Sequence, residues 1–544
     1  MKKILLILYF CLAAFRPAAV LALENPPPKD EFANAKLVPD RKPDLPTYAE
    51  LVYLSDHPYP QGALKRKVQK LFHTPFVSNQ ATRNGIRPHR PSDPRLGPFL
   101  RVMSWNIEKS LNLPQAIQAF TSPRDFSLLI DTNRYPPGSP KYEEIMAQRS
   151  LLNDVDVLIL QEMDWGVKRS GYRQSPKELA EALHMNYAYA PAYLEIDKVN
   201  LGIEKFENPD GSLSTEVAKR IEVDPEKYRG LFGSAVLSKY PIIKVEAFPL
   251  IYQGYDWYGG EKDKFSLLEA ARRKAAEGVF LEKLFREMKI GGRNFFRVDL
   301  YVPWLPDKRL TVINIHLEIK CLPAAREFQV REILNYIKDI RNPVVMMGDF
   351  NAAPEDLSPT TVKREARRLL SNPSFWFSEL IRYVTPQGAA LDMTRIASNF
   401  TKNFQNPTAR NIPIIAPNNL YGLFNSIREF RFNDGYVFDF RGDRNRSTNH
   451  KKKLLANSNE RDLIGYRMTF TTERTIFQVI GKYRLDWAFV KGYITDPVGK
   501  FQTYRFAPHF GKTLEAMNDR LKERISDHHP NIVDIPFEEP RIKN

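Results

Sequence analysis

Asp349 and Asn351, a carboxylate and a carboxamide two residues apart, follow the apolar run Val344-Val345-Met346-Met347 and a glycine, Gly348. Strand alternation puts both on one side of the local chain and turns Phe350 to the other, toward a core. Held at the mouth of a rigid strand, such a pair can orient a water or a phosphate oxygen. The octapeptide alone fits an Asp/Asn turn equally well. The same arrangement recurs along the chain: Asn106, Glu162, His316, Asp486 and Asp527-His528 each sit in or just beyond an apolar strand pattern. Singly, Asn106 can cap a turn, Glu162 can be a surface charge and His316 a satisfied core histidine. Together, in a chain with 9 histidines, they make a set whose chemistry is specific. It holds no thiols or histidine pairs at zinc spacing, which argues against structural zinc. Its hard oxygen donors suit Mg²⁺, with Mn²⁺ or Ca²⁺ as alternatives, and such a cation typically takes a substrate phosphate. A histidine beside a carboxylate, with a second histidine elsewhere, supplies a base and an acid for in-line displacement. The chain has no phosphate-binding loop ending in Lys-Ser/Thr and no Gly-x-Ser-x-Gly elbow, which disfavours a nucleotide-driven motor and a serine hydrolase.

The elements that must position these groups alternate between strand and helix. Strands are expected at 100–106, 155–160, 233–238, 296–302, 310–316, 344–347, 468–471 and 484–490, and helices at 143–153, 177–184 and 326–340. This pattern indicates an α/β protein with covered sheets. Strand ends in such a sandwich converge on one rim, so the polar residues can share a cleft. Two segments look inserted. The first, about 252–295, contains an expected helix over 264–288. The second, about 355–466, interleaves Arg428, Arg431, Arg441, Arg444, Arg446 and Lys451-Lys452-Lys453 with Phe430, Phe432, Tyr436, Phe438 and Phe440. Such a run either grips a phosphate backbone and stacks bases, or is a solvated loop with its aromatics tucked beneath. Residues 23–98, rich in proline and basic groups, read as an extended arm apart from one helical patch at 61–72 that can dock on the main body.

At 544 residues with 43% hydrophobic and 26% charged residues, the chain is an ordinary globular protein large enough for one extended domain or two. Its formal charge of +16 favours polyanionic partners, among them nucleic acid and anionic lipid headgroups. Residues 1–22 read as a secretory signal: Lys2 and Lys3, an apolar stretch from Ile4 to Phe15, and the small-residue site Val20-Leu21-Ala22. The mature chain then retains Cys321 as its one cysteine, so no internal disulfide forms. A periplasmic or secreted protein, monomeric and without an obligate protein partner, is the expectation.

The motifs Ser104-Trp105-Asn106-Ile107-Glu108, Leu160-Gln161-Glu162, Asn314-Ile315-His316-Leu317-Glu318, Gly348-Asp349-Phe350-Asn351, Leu485-Asp486-Trp487 and Ser526-Asp527-His528-His529-Pro530 resemble, in this order, the endonuclease/exonuclease/phosphatase superfamily of DNase I-like phosphoesterases. The resemblance runs from about Phe99 to Pro536 and is interrupted by the two insertions. It implies a four-layer α-β-β-α sandwich of two mixed sheets with a metal-dependent phosphoesterase site at one rim. Carried over motif by motif, Glu162 is the principal metal ligand, completed by Asn106 and Asp527, with Glu108 a further acidic candidate. Asp349 and Asn351 position water and phosphate, His528 oriented by Asp486 is the base, and His316 serves the leaving group. Asn106, Asn351, Arg326 and Ser234 are expected substrate contacts, although Ser234 replaces the asparagine of the family's Gly-Asn-Ala-Ile-Leu-Ser strand. The resulting expectation is a phosphodiesterase of nuclease type. The alternatives are a phospholipid or phosphoinositide phosphoesterase on the same fold, or a non-catalytic binding module.

Overall fold

The structure, a computed structural model, describes residues 30–94, 96–205, 212–262, 287–353, 420–439, 459–460, 466–476, 480–494, 504–505 and 510–537. The chain divides into residues 1–35, in which Asp30–Ala33 forms one helical turn, and residues 36–544. Among the described residues no helix is long and apolar enough to cross a membrane.

The larger unit is built on two mixed sheets. The strands of the first are β1 (Phe76–Ser78), β2 (Ser92–Asp93), β3 (Gly97–Asn106), β4 (Val157–Trp165), β5 (Asn186–Glu195), β6 (Leu231–Ser238) and, late in the chain, Phe510–Thr513 and Asn531–Pro536. The second contains β7 (Ile242–Pro249), β9 (Asn294–Tyr301), β10 (Arg309–His316), β11 (Val344–Asp349) and the strand Asp486–Lys491; β8 (Lys289–Gly291) belongs to the first. Two short antiparallel pairs, Phe470–Ile476 with Ile480–Tyr483 (β12, β13) and Tyr493–Ile494 with Tyr504–Arg505 (β15, β16), lie outside both sheets, and Phe470 of the first bridges His528. Numbered in chain order, Asp486–Lys491 is β14, Phe510–Thr513 β17 and Asn531–Pro536 β18. The first sheet runs β1-β5-β6-β4-β3-β18-β17, with β2 on β3 and β8 on β5; the second runs β14-β11-β10-β9-β7.

The sheets face each other, and polar groups pin them. Asn314 on β10 donates from Nδ2 to the carbonyls of Leu160 (3.0 Å) and Ala235 (2.9 Å), while Gln161 Nε2 donates to Asn314 Oδ1 at 2.8 Å. Helices Leu113–Thr121, Pro140–Ser150 and Ser175–Ala182 contribute apolar side chains to the core outside the first sheet, and Pro323–Ile337 and Tyr421–Glu429 to that outside the second. This is the four-layer α-β-β-α arrangement expected.

Register explains the rim. β3 and β4 are parallel with Asn106 opposite Gln161, and β10 and β11 are parallel with His316 opposite Asp349. β14 returns antiparallel and sets Asp486 beside Asp349. Parallel neighbours end at the same side of a sheet, so the polar strand ends gather there.

One expectation changes and one open alternative is decided. The expected helical patch, found at Gly62–His73, docks on the main body, and the sequence around it joins the body instead of forming an arm: helix Tyr48–Asp56 packs into the same core and β1 extends the first sheet on β5. Asn79, fully buried, bonds Ile242 through both its amide nitrogen and its oxygen (2.9 Å each). The aromatics Phe430, Phe432 and Phe438 turn inward with Phe489, and Arg428 and Arg431 are exposed, so the described part of the basic-aromatic segment follows the tucked-under alternative. Arg441, Arg444, Arg446, Phe440, Lys451 to Lys453, the 264–286 stretch and the secretory signal lie outside the described residues. Because Phe76 is buried against Trp165 (4.5 Å between centroids) and Tyr189 (5.4 Å), Phe76→Ala is expected to cost about 3–5 kcal/mol in denaturant unfolding; a free arm would leave stability unchanged.

Candidate active site

Asn106 is the meeting point of the rim. Its side chain is 1% exposed, and Nδ2 lies 3.2 Å from Glu162 Oε1, 3.1 Å from Asp349 Oδ2 and 3.4 Å from His528 Nε2. Its own oxygen accepts from the amide of Glu108 at 3.1 Å. Glu162 reaches it because the chain is irregular there. The β4–β6 register shifts between Leu160 and Met163, and Glu162 takes φ 56°. A left-handed conformation at a residue with a side chain costs roughly 1–3 kcal/mol and is concentrated at functional sites. Asn351, at φ 46°, is a second case. Its amide N–H donates to Asp349 Oδ1 at 2.7 Å and its Nδ2 to the Leu317 carbonyl at 2.9 Å. Gly348 makes this turn possible: at φ 145° a Cβ would fall 2.0 Å from the Ile315 carbonyl oxygen.

His528 Nδ1 sits 2.8 Å from Asp486 Oδ2 and its Nε2 3.8 Å from Asp349 Oδ2. The second distance is within reach of one bridging water. His316 Nε2 lies 3.8 Å from both Glu162 Oε1 and Asp349 Oδ2. The loop that carries Asp527 and His528 is fixed from behind. Asn518 accepts from the amides of Ile525 and Ser526 and donates to the Ser526 carbonyl at 2.7 Å, Trp105 Nε1 donates to the His528 carbonyl at 2.9 Å, and the Asp527 amide donates to Glu108 Oε2 at 3.0 Å.

The electrostatics divide the two histidines. Burial alone would lower the His528 pKa, but the carboxylates of Asp486 and Asp349 outweigh it and hold the ring well above the ordinary imidazole range. Burial and the cations Arg293, His528 and Lys289 drive His316 well below that range, so it is neutral at pH 7. Burial, with Asp486 adding and His528 opposing, pushes Asp349 up to about 7. Burial also raises Asp527.

The structure thus gathers Asn106, Glu162, His316, Asp349, Asp486 and His528, with Glu108, Asn351 and Asp527 adjoining through backbone bonds. Two expected contacts lie elsewhere. Arg326 is fully buried in the first turn of its helix and donates to the carbonyls of Glu318 (2.9 Å) and Ile319 (3.1 Å), so it shapes the loop after β10. Ser234 is buried within β6, opposite Ala190 on β5. Sequence reasoning missed Asn518 and Arg293. A lone asparagine carries no local signal. Arg293 follows the Gly291-Gly292 turn and bonds Glu318 through Nε at 3.4 Å.

A divalent cation fits these donors. Glu162 and Asp349 bring two carboxylate oxygens to one amide nitrogen, an excess of negative charge on hard ligands, and Glu162 keeps 23% of its side chain exposed. Asp349, Asp486 and His528 also lie close enough to share an ion, but Asp486 Oδ2 is already committed to the His528 ring.

The family model described as "Endonuclease/Exonuclease/phosphatase family" matches residues 103–528. The chain belongs to the endonuclease/exonuclease/phosphatase family. No curated protein matches it. Solved structures similar to it include an endonuclease/exonuclease/phosphatase from Beutenbergia cavernae (15% identity over 81% of this chain and 72% of that one, TM-score 0.35) and an AP endonuclease from Archaeoglobus fulgidus (12%, 80% and 98%, 0.32). A 3′ phosphatase from Neisseria bound to a product DNA hairpin is similar as well (10%, 80% and 99%, TM-score 0.34).

Gly348→Ala is expected to lower stability by roughly 2 kcal/mol or more and to remove near-UV circular dichroism from the rim, because the added methyl meets backbone. A variant as stable as the parent would mean the turn is not constrained as described.

Proposed function

We propose that this protein is an exported, divalent-metal-dependent phosphodiesterase that acts on nucleic acid. The observation that carries the chemistry is the convergence of Glu162 and Asp349 on Asn106, beside a His528–Asp486 pair and a neutral His316. Glu162, Asn106 and Asp527 would hold the cation, with Asp349 at the same rim. A bound Mg²⁺, or Mn²⁺ or Ca²⁺ in its place, supplies charge neutralisation for the phosphate. Asp349, carrying the raised pKa, is suited to take the proton of an attacking water, while His528 in its charged form orients Asp349 and answers negative charge. That assignment moves the base from His528, where sequence reasoning put it, to Asp349. His316, being neutral, donates a hydrogen bond to the phosphoryl or leaving oxygen rather than a full positive charge.

The +16 charge supports nucleic acid as the substrate, and the signal-like residues 1–22 support export. A second reading, hydrolysis of a phospholipid headgroup ester, is favoured by one observation: exposed apolar side chains stand on the loops after β7 and β10, two strands that run toward the rim.

Plasmid and single-stranded DNA should be cleaved with Mg²⁺ and spared with a chelator. His528→Ala should lose roughly a hundredfold to ten-thousandfold in kcat; equal cleavage by the variant would sink the proposal. The pH profile follows from Asp349. The ionised form is active, so the rate is present above its pKa and lost as pH falls through it. A bound cation stabilises the carboxylate, which puts the acid limb at or below about pH 7. A rate that rises on acidification through this range would rule out the role.

A further inference from the structure

We infer that the catalytic rim carries a docking surface for an anionic lipid bilayer. This rests on the second, phospholipid reading of the site. β7 and β10 are both antiparallel to β9 and therefore run toward the same rim, where His316 ends β10. The loop after β7 presents Ile251, 86% exposed, and Tyr252, 44% exposed; the loop after β10 presents Ile319 at 37% and Leu322 at 49%; and the helix that follows presents Phe328 at 56%. These are half of the ten exposed large hydrophobic residues among the described residues, on two loops and one helix.

They form one surface. The Tyr252 and Phe328 rings are 5.6 Å apart between centroids. The amides of Ile251 (2.8 Å) and Tyr252 (3.3 Å) donate to the Glu332 carboxylate on that helix, and Gln329 Nε2 donates to the carbonyls of Tyr252 and Gln253. Gly254 packs so closely on Cys321 that a Cβ there would lie 3.0 Å from the cysteine Cβ. The apolar tips are thus presented by an anchored frame. Behind Tyr252 the surface continues into a cavity of about 540 Å³, with Tyr59 at its lip.

The side-chain types select the occupant. Ile251, Ile319 and Leu322 have no stacking face and no hydrogen-bonding group, so they add little to a nucleic-acid interface, where aromatic platforms and cations do the binding. Aliphatic tips inserted at the boundary of headgroups and acyl chains, with tyrosine at the interface level, are the composition of a peripheral membrane contact. Lys320 and Arg331 edge the patch, each ion-paired to a glutamate, and the net charge of +16 draws the chain to an anionic leaflet. Docked this way, the rim that holds Glu162 and His316 faces the phosphate layer.

The test uses the full chain and sedimentation with phosphatidylcholine vesicles, with and without phosphatidylglycerol. The parent should partition onto the anionic vesicles. Ile251→Asp combined with Phe328→Asp, both on exposed side chains, should weaken partitioning by roughly tenfold or more while Mg²⁺-dependent hydrolysis of soluble bis(p-nitrophenyl) phosphate stays unchanged. The proposal is overturned if the parent stays in solution with both vesicle types, if the double variant partitions like the parent, or if the substitutions weaken DNA binding and leave vesicle binding intact. The soluble ester separates the two readings: failure of the parent to hydrolyse it overturns the catalytic assignment, whatever the vesicles show.

Discussion

The rest of the site depends on one buried amide. Asn106 ends a strand of the first sheet, yet its nitrogen contacts Asp349 at the end of a strand of the second, and Glu162 from the neighbouring strand of its own sheet. Two carboxylates brought this close in a buried place repel each other and lose hydration. One amide N–H is a weak answer to that charge, and a divalent cation is a strong one. The frame that enforces the approach is the pair of parallel strand couples, β3–β4 and β10–β11, whose registers bring Asn106 beside Gln161 and His316 beside Asp349, and the Asn314 bonds that fix one sheet on the other.

The same crowding divides the proton chemistry. His528 faces Asp486 and Asp349 and keeps its proton; His316 also lies 3.8 Å from Asp349 and from Glu162, but burial and the positive charge of Arg293, His528 and Lys289 prevail there and it loses its proton. Asp349 stands between them with its pKa near neutrality. Two imidazoles on one rim therefore serve different ends, and the difference comes from which charges each one meets rather than from the ring itself.

Much of this was legible in the chain. Short continuous apolar runs with a polar residue at the end announced most of the strands, and the order of the ends announced the family and its sandwich. What escaped has physical causes. The strand Phe76–Ser78 is three residues long in a proline-rich stretch, too short for a period to register, so the segment looked like an arm. Phe430, Phe432 and Phe438 alternate with basic residues as a nucleic-acid grip does, and only packing shows that their rings turn inward. The left-handed turn at Glu162 has no glycine to mark it. Arg326 occupies a plausible substrate position in sequence, but its guanidinium is spent on the loop after β10. The fold was readable because it repeats locally; the groups behind the site were not, because neither Asn518, which braces Ile525 and Ser526, nor Arg293, which reaches Glu318, belongs to a local pattern.

The most direct test of the central claim is an anomalous difference map at the manganese edge from crystals grown with Mn²⁺. The account predicts a peak on the Glu162 carboxylate, beside Asn106 and Asp527, that is lost in Glu162→Ala. A peak held by Asp349, Asp486 and His528 without Glu162, or no peak at the rim, would contradict it.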